Sequence, residues 1–336
     1  MKKKITLAEK AGELCRATIV GLFLICATGC ADDDGGNYIL IETIDLPNGR
    51  VAMSYSTVLE ASDASGSVTW TVTAGDLPPG LDLSPLDGAI AGEPSKSGNY
   101  EFTIQAQDDD GADEVDLQIA IPTLVLMSGF EPFGGYATNP SYDALIPLHE
   151  ELILDLDIRI IEIPVTWESG WSSLLEKIDE LSADVVIGTG MAGSDAMRFE
   201  TLARNEASGT DNDNVTLSGD PVVTGGPATI PVDLPVSQMS DAMDGGGFDI
   251  MTSDNAGDFL CNHVFYNLMY HADNSDDPPV AAGFIHVPPA PYTGTFSVQD
   301  ITAAHILGLE ALSGWLDSNQ DADDAIVDIH TAPIYL

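Results

Sequence analysis

From Tyr38 to about Ile121, apolar and polar residues alternate in short runs. These are Val51-Ala52-Met53-Ser54-Tyr55, Val68-Thr69-Trp70-Thr71-Val72, Tyr100-Glu101-Phe102-Thr103-Ile104-Gln105-Ala106 and Val115-Asp116-Leu117-Gln118-Ile119. Period-two alternation predicts half-buried strands, and the Gly, Pro, Asp and Ser clusters between them supply turns at the spacing of an all-β sandwich. Trp70 is expected in its core. At Pro122 the pattern changes. Thr123 to Met127 is continuously apolar, as a strand buried on both faces requires, and runs into Ser128-Gly129-Phe130-Glu131-Pro132-Phe133-Gly134-Gly135 before Asn139-Pro140-Ser141 opens a helix. Further strands are predicted at 158–165, 184–190, 248–253 and 280–287. Helical spacing of apolar residues marks 169–181, 235–243, 261–272 and 298–316. This alternation predicts a three-layer α/β/α domain over 122–316, built on an open and largely parallel sheet, with its site at the carboxyl ends of the strands. Gly129-Phe130, Met191-Ala192, Asp254-Asn255 and His286 fall at such ends and are expected to converge.

Residues 1–30 read as a targeting segment: Lys2, Lys3 and Lys4 precede an apolar core around Ile19 to Ile25, and Ala27-Thr28-Gly29-Cys30 closes it. Small residues before Cys30 resemble a bacterial lipobox, which implies lipidation of Cys30. A plain signal peptide or membrane anchor is the alternative, although the apolar run is short for a bilayer span. Residues 31–37, with Asp32, Asp33 and Asp34, read as an acidic tether. The residue after Cys30 is not Asp, which favours outer-membrane placement in the cell envelope. Loss of Cys15 and Cys26 with the signal, and lipidation of Cys30, would leave Cys261 as the one free thiol. No internal disulfide is then possible.

Charge narrows the partners. The chain holds 11 Lys and Arg against 54 Asp and Glu. Lys2, Lys3, Lys4, Lys10, Arg16, Glu9 and Glu13 leave with the signal, so 6 cations face 52 anions, a net charge of −46. Such a surface repels nucleic acid and anionic lipid, and it suits a salty medium that screens the self-repulsion. Asp108, Asp109, Asp110, Asp113 and Glu114 offer oxygens for calcium or form a solvated turn; their spacing matches no ordered ligand set. Residues 317–336, with Asp321, Asp323 and Asp324, are expected to form a partly ordered acidic tail. Oligomeric state is open.

Candidate chemistry centres on Ser253-Asp254-Asn255-Ala256-Gly257-Asp258-Phe259-Leu260-Cys261-Asn262-His263. The polar turn followed by apolar helical spacing places Cys261 at the first position of a helix. Unpaired N–H groups and the helix dipole there stabilise a thiolate and a developing oxyanion. The other reading of a lone Cys is a small buried hydrophobe. A thiol nucleophile needs a base and a group to orient it. His286, in Gly283-Phe284-Ile285-His286-Val287-Pro288, interrupts an apolar strand and is the best base, since burying an imidazole without a polar partner is costly. His263 lies too near Cys261 on the same helix; His149, His271 and His305 fall on predicted helices, and His330 in the tail. Glu200, in Met197-Arg198-Phe199-Glu200-Thr201-Leu202-Ala203-Arg204-Asn205, is the candidate orienting acid, but spacing leaves other acids in play. Phe130 and Phe133 are spaced to wall a small apolar slot, or one of them is core. Neither a dinucleotide fingerprint nor a P-loop Lys follows the first α/β strand, and no metal-ligand spacing competes.

Four motifs in order carry a resemblance over about 123–316. Gly129-Phe130-Glu131-Pro132-Phe133-Gly134-Gly135 with Asn139-Pro140-Ser141, Glu200 through Asn205, Asn255-Ala256-Gly257 through His263, and Gly283 through Pro288 resemble the pyroglutamyl peptidase type I family, the pyrrolidone-carboxylate peptidases. The resemblance implies a phosphorylase/hydrolase-like α/β/α fold and a cysteine exopeptidase acting on peptides with an N-terminal pyroglutamate. It implies Cys261 as nucleophile, His286 as general base and acid, Glu200 as its orienting group, and no cofactor or metal. Phe130, Phe133, Phe259 and Leu260 would form the slot for the flat, uncharged ring, with Met191 beside it. Met191 departs from the Gln usual there, Ala192-Gly193-Ser194-Asp195 is shorter than the usual loop, and 207–214 lacks the usual Arg-Ile-Pro type of run. A binding module with an altered pocket, or a cysteine hydrolase of another small acyl amide, are the alternatives. Residues 38–121 resemble the immunoglobulin-like domains of bacterial surface proteins, which implies a spacer or adhesive module.

Overall fold

The computed structural model describes residues 38–290, 292 and 296–331, with the backbone alone beyond residue 319. Cys15, Cys26 and Cys30 lie outside them. The first eight strands, β1 (Leu40–Ile41), β2 (Tyr55–Val58), β3 (Ala61–Ser62), β4 (Thr69–Gly75), β5 (Leu81–Leu83), β6 (Ala89–Gly92), β7 (Gly98–Gln107) and β8 (Ala112–Ile121), form the sandwich. One sheet has the order β4-β7-β8 and another β2-β6-β5, with β1 and β3 paired beside them, all antiparallel. Trp70, Ile90, Phe102, Ile104, Leu117 and Ile119 are buried between them, as the alternation requires. Residues 51–53 are turn rather than strand, with Ala52 at φ 55°, so the strand expected over 51–55 begins only at Tyr55. The acidic loop caps itself: the Asp108 carboxylate accepts N–H bonds from Ser65 (2.7 Å), Asp110 (2.9 Å) and Gly111 (2.8 Å), and Asp113 accepts one from Ile41 (2.8 Å). Those oxygens hold turns, and among the described residues no acidic or His/Cys cluster is shaped for a metal ion.

Pro122 alone separates β8 from β9 (Thr123–Phe130), the first strand of the α/β domain. Its remaining strands are β10 (Leu152–Ile153), β11 (Leu156–Ile163), β12 (Val185–Met191), β13 (Met197–Glu200), β14 (Leu202–Arg204), β15 (Ala207–Thr210), β16 (Thr216–Asp220), β17 (Thr229–Pro231), β18 (Ile250–Ser253) and β19 (Ala281–Val287). The helices are α1 (Pro140–Asp143), α2 (Ser169–Leu181), α3 (Val236–Gly245), α4 (Leu260–Asn274) and α5 (Val298–Thr331). Seven strands form one sheet in the order β10-β11-β9-β12-β19-β13-β18, with β11, β9, β12 and β19 mutually parallel. Even-numbered residues of β9, β12 and β19 (Leu124, Leu126, Val186, Ala282, Phe284) pack under α2 and α4. Odd-numbered ones (Val125, Met127, Val185, Ile187, Ile285, Val287) pack under α3 and α5. Two cores on one sheet give the expected three layers. In α2 the buried Leu174, Ile178 and Leu181 recur at helical spacing, which is why the apolar pattern located that helix. The last helix runs past 316 to Thr331, through the segment expected as a tail.

Of the strands that were not anticipated, β13 matters most for the site. β13 pairs antiparallel with β19 and parallel with β18. Only Ala192 to Ala196 connect β12 to β13, too few for a parallel crossover, so the chain must turn back against the sheet. Because β18 follows β13, its carboxyl end points opposite to those of β9, β12 and β19. Asp254-Asn255 therefore leave at the other end of the sheet from Gly129-Phe130, Met191-Ala192 and His286. Convergence at the site is achieved by α4 instead.

Candidate active site

The site is built on Gly190, the penultimate residue of β12. In parallel register it stands beside His286 of β19. A Cβ at position 190 would lie 2.7 Å from the Cys261 Sγ and 2.9 Å from the Phe284 ring, so glycine lets the thiol approach the strand. The thiol is carried by the second residue of α4, one later than the sequence predicts. Phe259 at the N-cap is extended and no side chain caps the helix, which leaves the first-turn N–H groups and the positive dipole end at the thiol.

The buried Asn262 secures that helix end. Its Oδ1 accepts the Arg204 N–H (3.0 Å), and its Nδ2 donates to the carbonyls of Arg204 (2.8 Å) and Glu206 (2.9 Å), so α4 is tied to β14. Gly209 of β15, at φ +123°, lies against the Phe259 ring, where a Cβ would approach to 2.6 Å. The Ser208 N–H donates to the Asp258 carbonyl (2.6 Å). The 207–214 segment thus braces the residues before the thiol.

His286 is buried, with its Nδ1 2.7 Å from Glu200 Oε1 and with Cys261 near enough to act on its charge. Glu200 reaches it because antiparallel β13 places Glu200 opposite Phe284 and Arg198 opposite His286. Burial of His286 disfavours its cation, but the Cys261 charge and hydrogen bond, with those of Glu200, outweigh it and raise the imidazole to about 9. Burial likewise opposes ionisation of Glu200, and the His286 hydrogen bond and charge, with Arg198 at 3.9 Å, hold its carboxyl below the usual range. Near neutral pH His286 is an imidazolium backed by the Glu200 carboxylate, beside the Cys261 sulfur. Such a set can form and hydrolyse a thioester.

Aromatic residues surround the thiol-bearing helix end. Phe133 lies 6.4 Å from Phe259, ring centre to ring centre, and Trp167 meets Phe259 edge-on at 5.3 Å. Both Phe133 and Phe259 are partly buried. Phe130, by contrast, is a buried core residue at the end of β9, and its N–H is held by the Ser141 Oγ (3.1 Å). Leu260 is 1% exposed and packs in the core under α4, so it cannot wall a slot. Met191 is partly buried at the end of β12. Trp167 was missed, although it follows β11 at a carboxyl end of the parallel sheet. Asp211 accepts its backbone N–H (3.0 Å), and its Nε1 donates to the Val215 carbonyl (3.0 Å). The Glu131 carboxylate accepts N–H bonds from Val165 (3.0 Å) and Asn212 (3.1 Å), joining that loop to the one after β9. His263 meets Trp167 edge-on at 5.4 Å, and burial pushes it down to about 4, so it stays neutral.

Residues 123–305 match the family model for pyroglutamyl peptidases, and 38–121 match an Ig-domain model. The pyrrolidone-carboxylate peptidase of Cupriavidus necator is 36% identical over 170 residues, 50% of this chain and 79% of that one. That of Bacillus thuringiensis subsp. konkukian is 35% identical over 193 residues, covering 55% and 89%. The crystal structure of pyroglutamyl peptidase I from Bacillus amyloliquefaciens superposes with a TM-score of 0.55 at 29% identity, over 57% of this chain and 97% of that one. With a thiol, an imidazole and a carboxylate brought together at this sheet, and with that agreement across one domain, the chain belongs to the pyroglutamyl peptidase family of cysteine peptidases.

Proposed function

We propose that the protein removes pyroglutamyl residues from the N-termini of peptides, with Cys261 as nucleophile, His286 as proton carrier and Glu200 as its orienting group. The Cys261 thiolate adds to the acyl carbon of the pyroglutamyl residue, and the first-turn N–H groups of α4 face the oxyanion. The tetrahedral species collapses to a thioester, and imidazolium His286 gives its proton to the departing amine. His286, now neutral, takes a proton from water as the hydroxide oxygen adds to the thioester. Pyroglutamate leaves and the thiolate and imidazolium pair is restored. Throughout, Glu200 keeps Nδ1 of the ring engaged, so the other nitrogen faces the reaction.

The observation that carries this reading is the pairing of His286 with Glu200 beside Gly190, the residue that Cys261 approaches, with the Phe133 and Phe259 rings at the same helix end. A flat, neutral lactam suits an aromatic slot, and a chain this acidic gains by recognising a ring without charge. The test is release of a fluorescent amine from its pyroglutamyl amide, with wild type and Cys261→Ser side by side under thiol reductant and high salt. Turnover only in wild type is the expected result. If neither turns over while iodoacetamide labels Cys261 rapidly near neutral pH, the nucleophile is competent and the substrate class is wrong.

The anchoring reading rests on the sequence of residues 1–37. Lipidation of Cys30 would hold the enzyme at the cell envelope, on the outer membrane, with the sandwich between lipid and catalytic domain. Detergent phase partitioning of the full chain against Cys30→Ala tests it: wild type should enter the detergent phase and the variant should not.

A further inference from the structure

Two half-exposed tyrosines lie at the carboxyl end of the sheet, outside the slot described above. Tyr136, in the loop after β9, and Tyr292, in the loop after β19, have ring centres 4.6 Å apart. Tyr292 Oη shares a hydrogen bond with Thr138 Oγ1 (2.9 Å) and accepts the Thr138 N–H (3.3 Å). Strands β9 and β19 flank β12 in the sheet, so a tie between their following loops spans the carboxyl end of β12, where Gly190 meets Cys261. Tyr136 also meets Phe133 edge-on at 6.5 Å, which continues the row Trp167, Phe259, Phe133 outward. Apart from Tyr38 in the sandwich, these are the large aromatics most exposed among the described residues, at 42% and 41%.

We propose that Tyr136 and Tyr292 form the subsite for the residue that follows pyroglutamate, and that they favour an apolar or aromatic side chain there. This rests on the pyroglutamyl peptidase reading. The leaving amine must lie at His286 to receive its proton, and the strand that carries His286 continues into the loop that carries Tyr292. The departing residue is thereby directed to the β19 side of the thiol, next to the tyrosine pair. The Thr138 contacts fix one ring before any peptide binds, so little side-chain freedom is lost on binding. Exposed rings held in place offer contact area to an apolar side chain, and the acidic surface around them repels a carboxylate.

The test compares pyroglutamyl dipeptide amides with Phe or Gly in the second position, as the ratio of their kcat/KM values. Wild type should favour Phe by about tenfold, the scale of one good aromatic contact. Tyr136→Ala and Tyr292→Ala should bring the ratio near one through a higher KM for the Phe substrate. Tyr136→Phe, which keeps the ring, should retain it. Equal ratios in wild type and the alanine variants, with both substrates lowered in parallel, would assign the pair a structural role and overturn the subsite. A wild type that cleaves both pyroglutamyl amides without preference overturns the subsite alone. A wild type that cleaves neither overturns the reading beneath it as well.

Discussion

Gly190 leaves no room for a methyl group: its Cβ would contact the thiol on one side and Phe284 on the other. Gly190→Ala should therefore displace Cys261, lowering kcat by orders of magnitude while costing about 1–3 kcal/mol of stability, the usual range for overpacking. Steady-state kinetics and a denaturant melt separate the two effects. The charge state of His286 depends on that contact. Burial alone pulls the imidazole down, and Cys261 with Glu200 raises it to about 9. Removing the thiolate in Cys261→Ser should lower the His286 pKa, read by NMR of a ring-labelled sample. In wild type, kcat/KM should fall as pH rises through about 9, where the imidazolium loses the proton that the leaving amine requires. The stability linked to this group has the same direction. A raised folded-state pKa contributes fully below about 6.5, the unfolded value, and is lost as pH climbs through about 9.

At the scale of elements, the uncapped start of α4 is held by side chains that are not its own. Asn262→Ala would free three backbone groups of Arg204 and Glu206 in a buried seam, at a cost of about 2–4 kcal/mol. Thermal unfolding should report that loss, and kcat should drop further because Cys261 rides on the same turn. The elements themselves were mostly legible in the sequence. Strands β9, β12 and β19 are largely apolar runs, β11 keeps Ile158, Ile160, Ile161 and Ile163 among its charged residues, and α2 has a clean apolar stripe, so pattern located them. β13 is four residues long and its apolar Met197 and Phe199 surround charged Arg198 and Glu200. Nothing local distinguishes that from a loop. Its pairing with β19 is what makes it a strand.

The whole molecule is joined by charge as well as by the single residue between β8 and β9. Asp157 on β11 is fully buried and binds Arg159 beside it (2.8 and 2.9 Å), while Arg50 of the sandwich holds both its oxygens. Arg159 also donates to the Val51 carbonyl (3.2 Å), and Ser97 of the sandwich donates to the partly buried Asp184 (2.7 Å). With Lys96 near Asp277 (3.6 Å), three of the six cations remaining after Cys30 lie at this junction. A spacer on a flexible tether would not need them. Arg50→Met should cost about 3–5 kcal/mol, because it strips one partner from a buried carboxylate. Burial opposes ionisation of Asp157, but the two arginines hold its carboxyl below the usual range. Its contribution is thus present above the ordinary Asp pKa and lost as pH falls below it, so the Arg50→Met penalty should shrink in acid. Calorimetry should show sandwich and catalytic domain melting together in wild type.

Apolar periodicity determined, without any coordinates, that a β-sandwich precedes a three-layer α/β domain, because burial of one face or two is written into the order of residue types. The motifs likewise carried the family and pointed to Cys261, His286 and Glu200. Only the tertiary structure decided how Glu200 reaches His286, since that follows from a five-residue connection too short for a parallel strand. It also decided how the apolar residues near the thiol are used: Phe133 and Phe259 stay partly exposed against one another, whereas Phe130 and Leu260 are taken up by the core. A residue's type shows that it can be buried, and its neighbours across the fold determine what it is buried against.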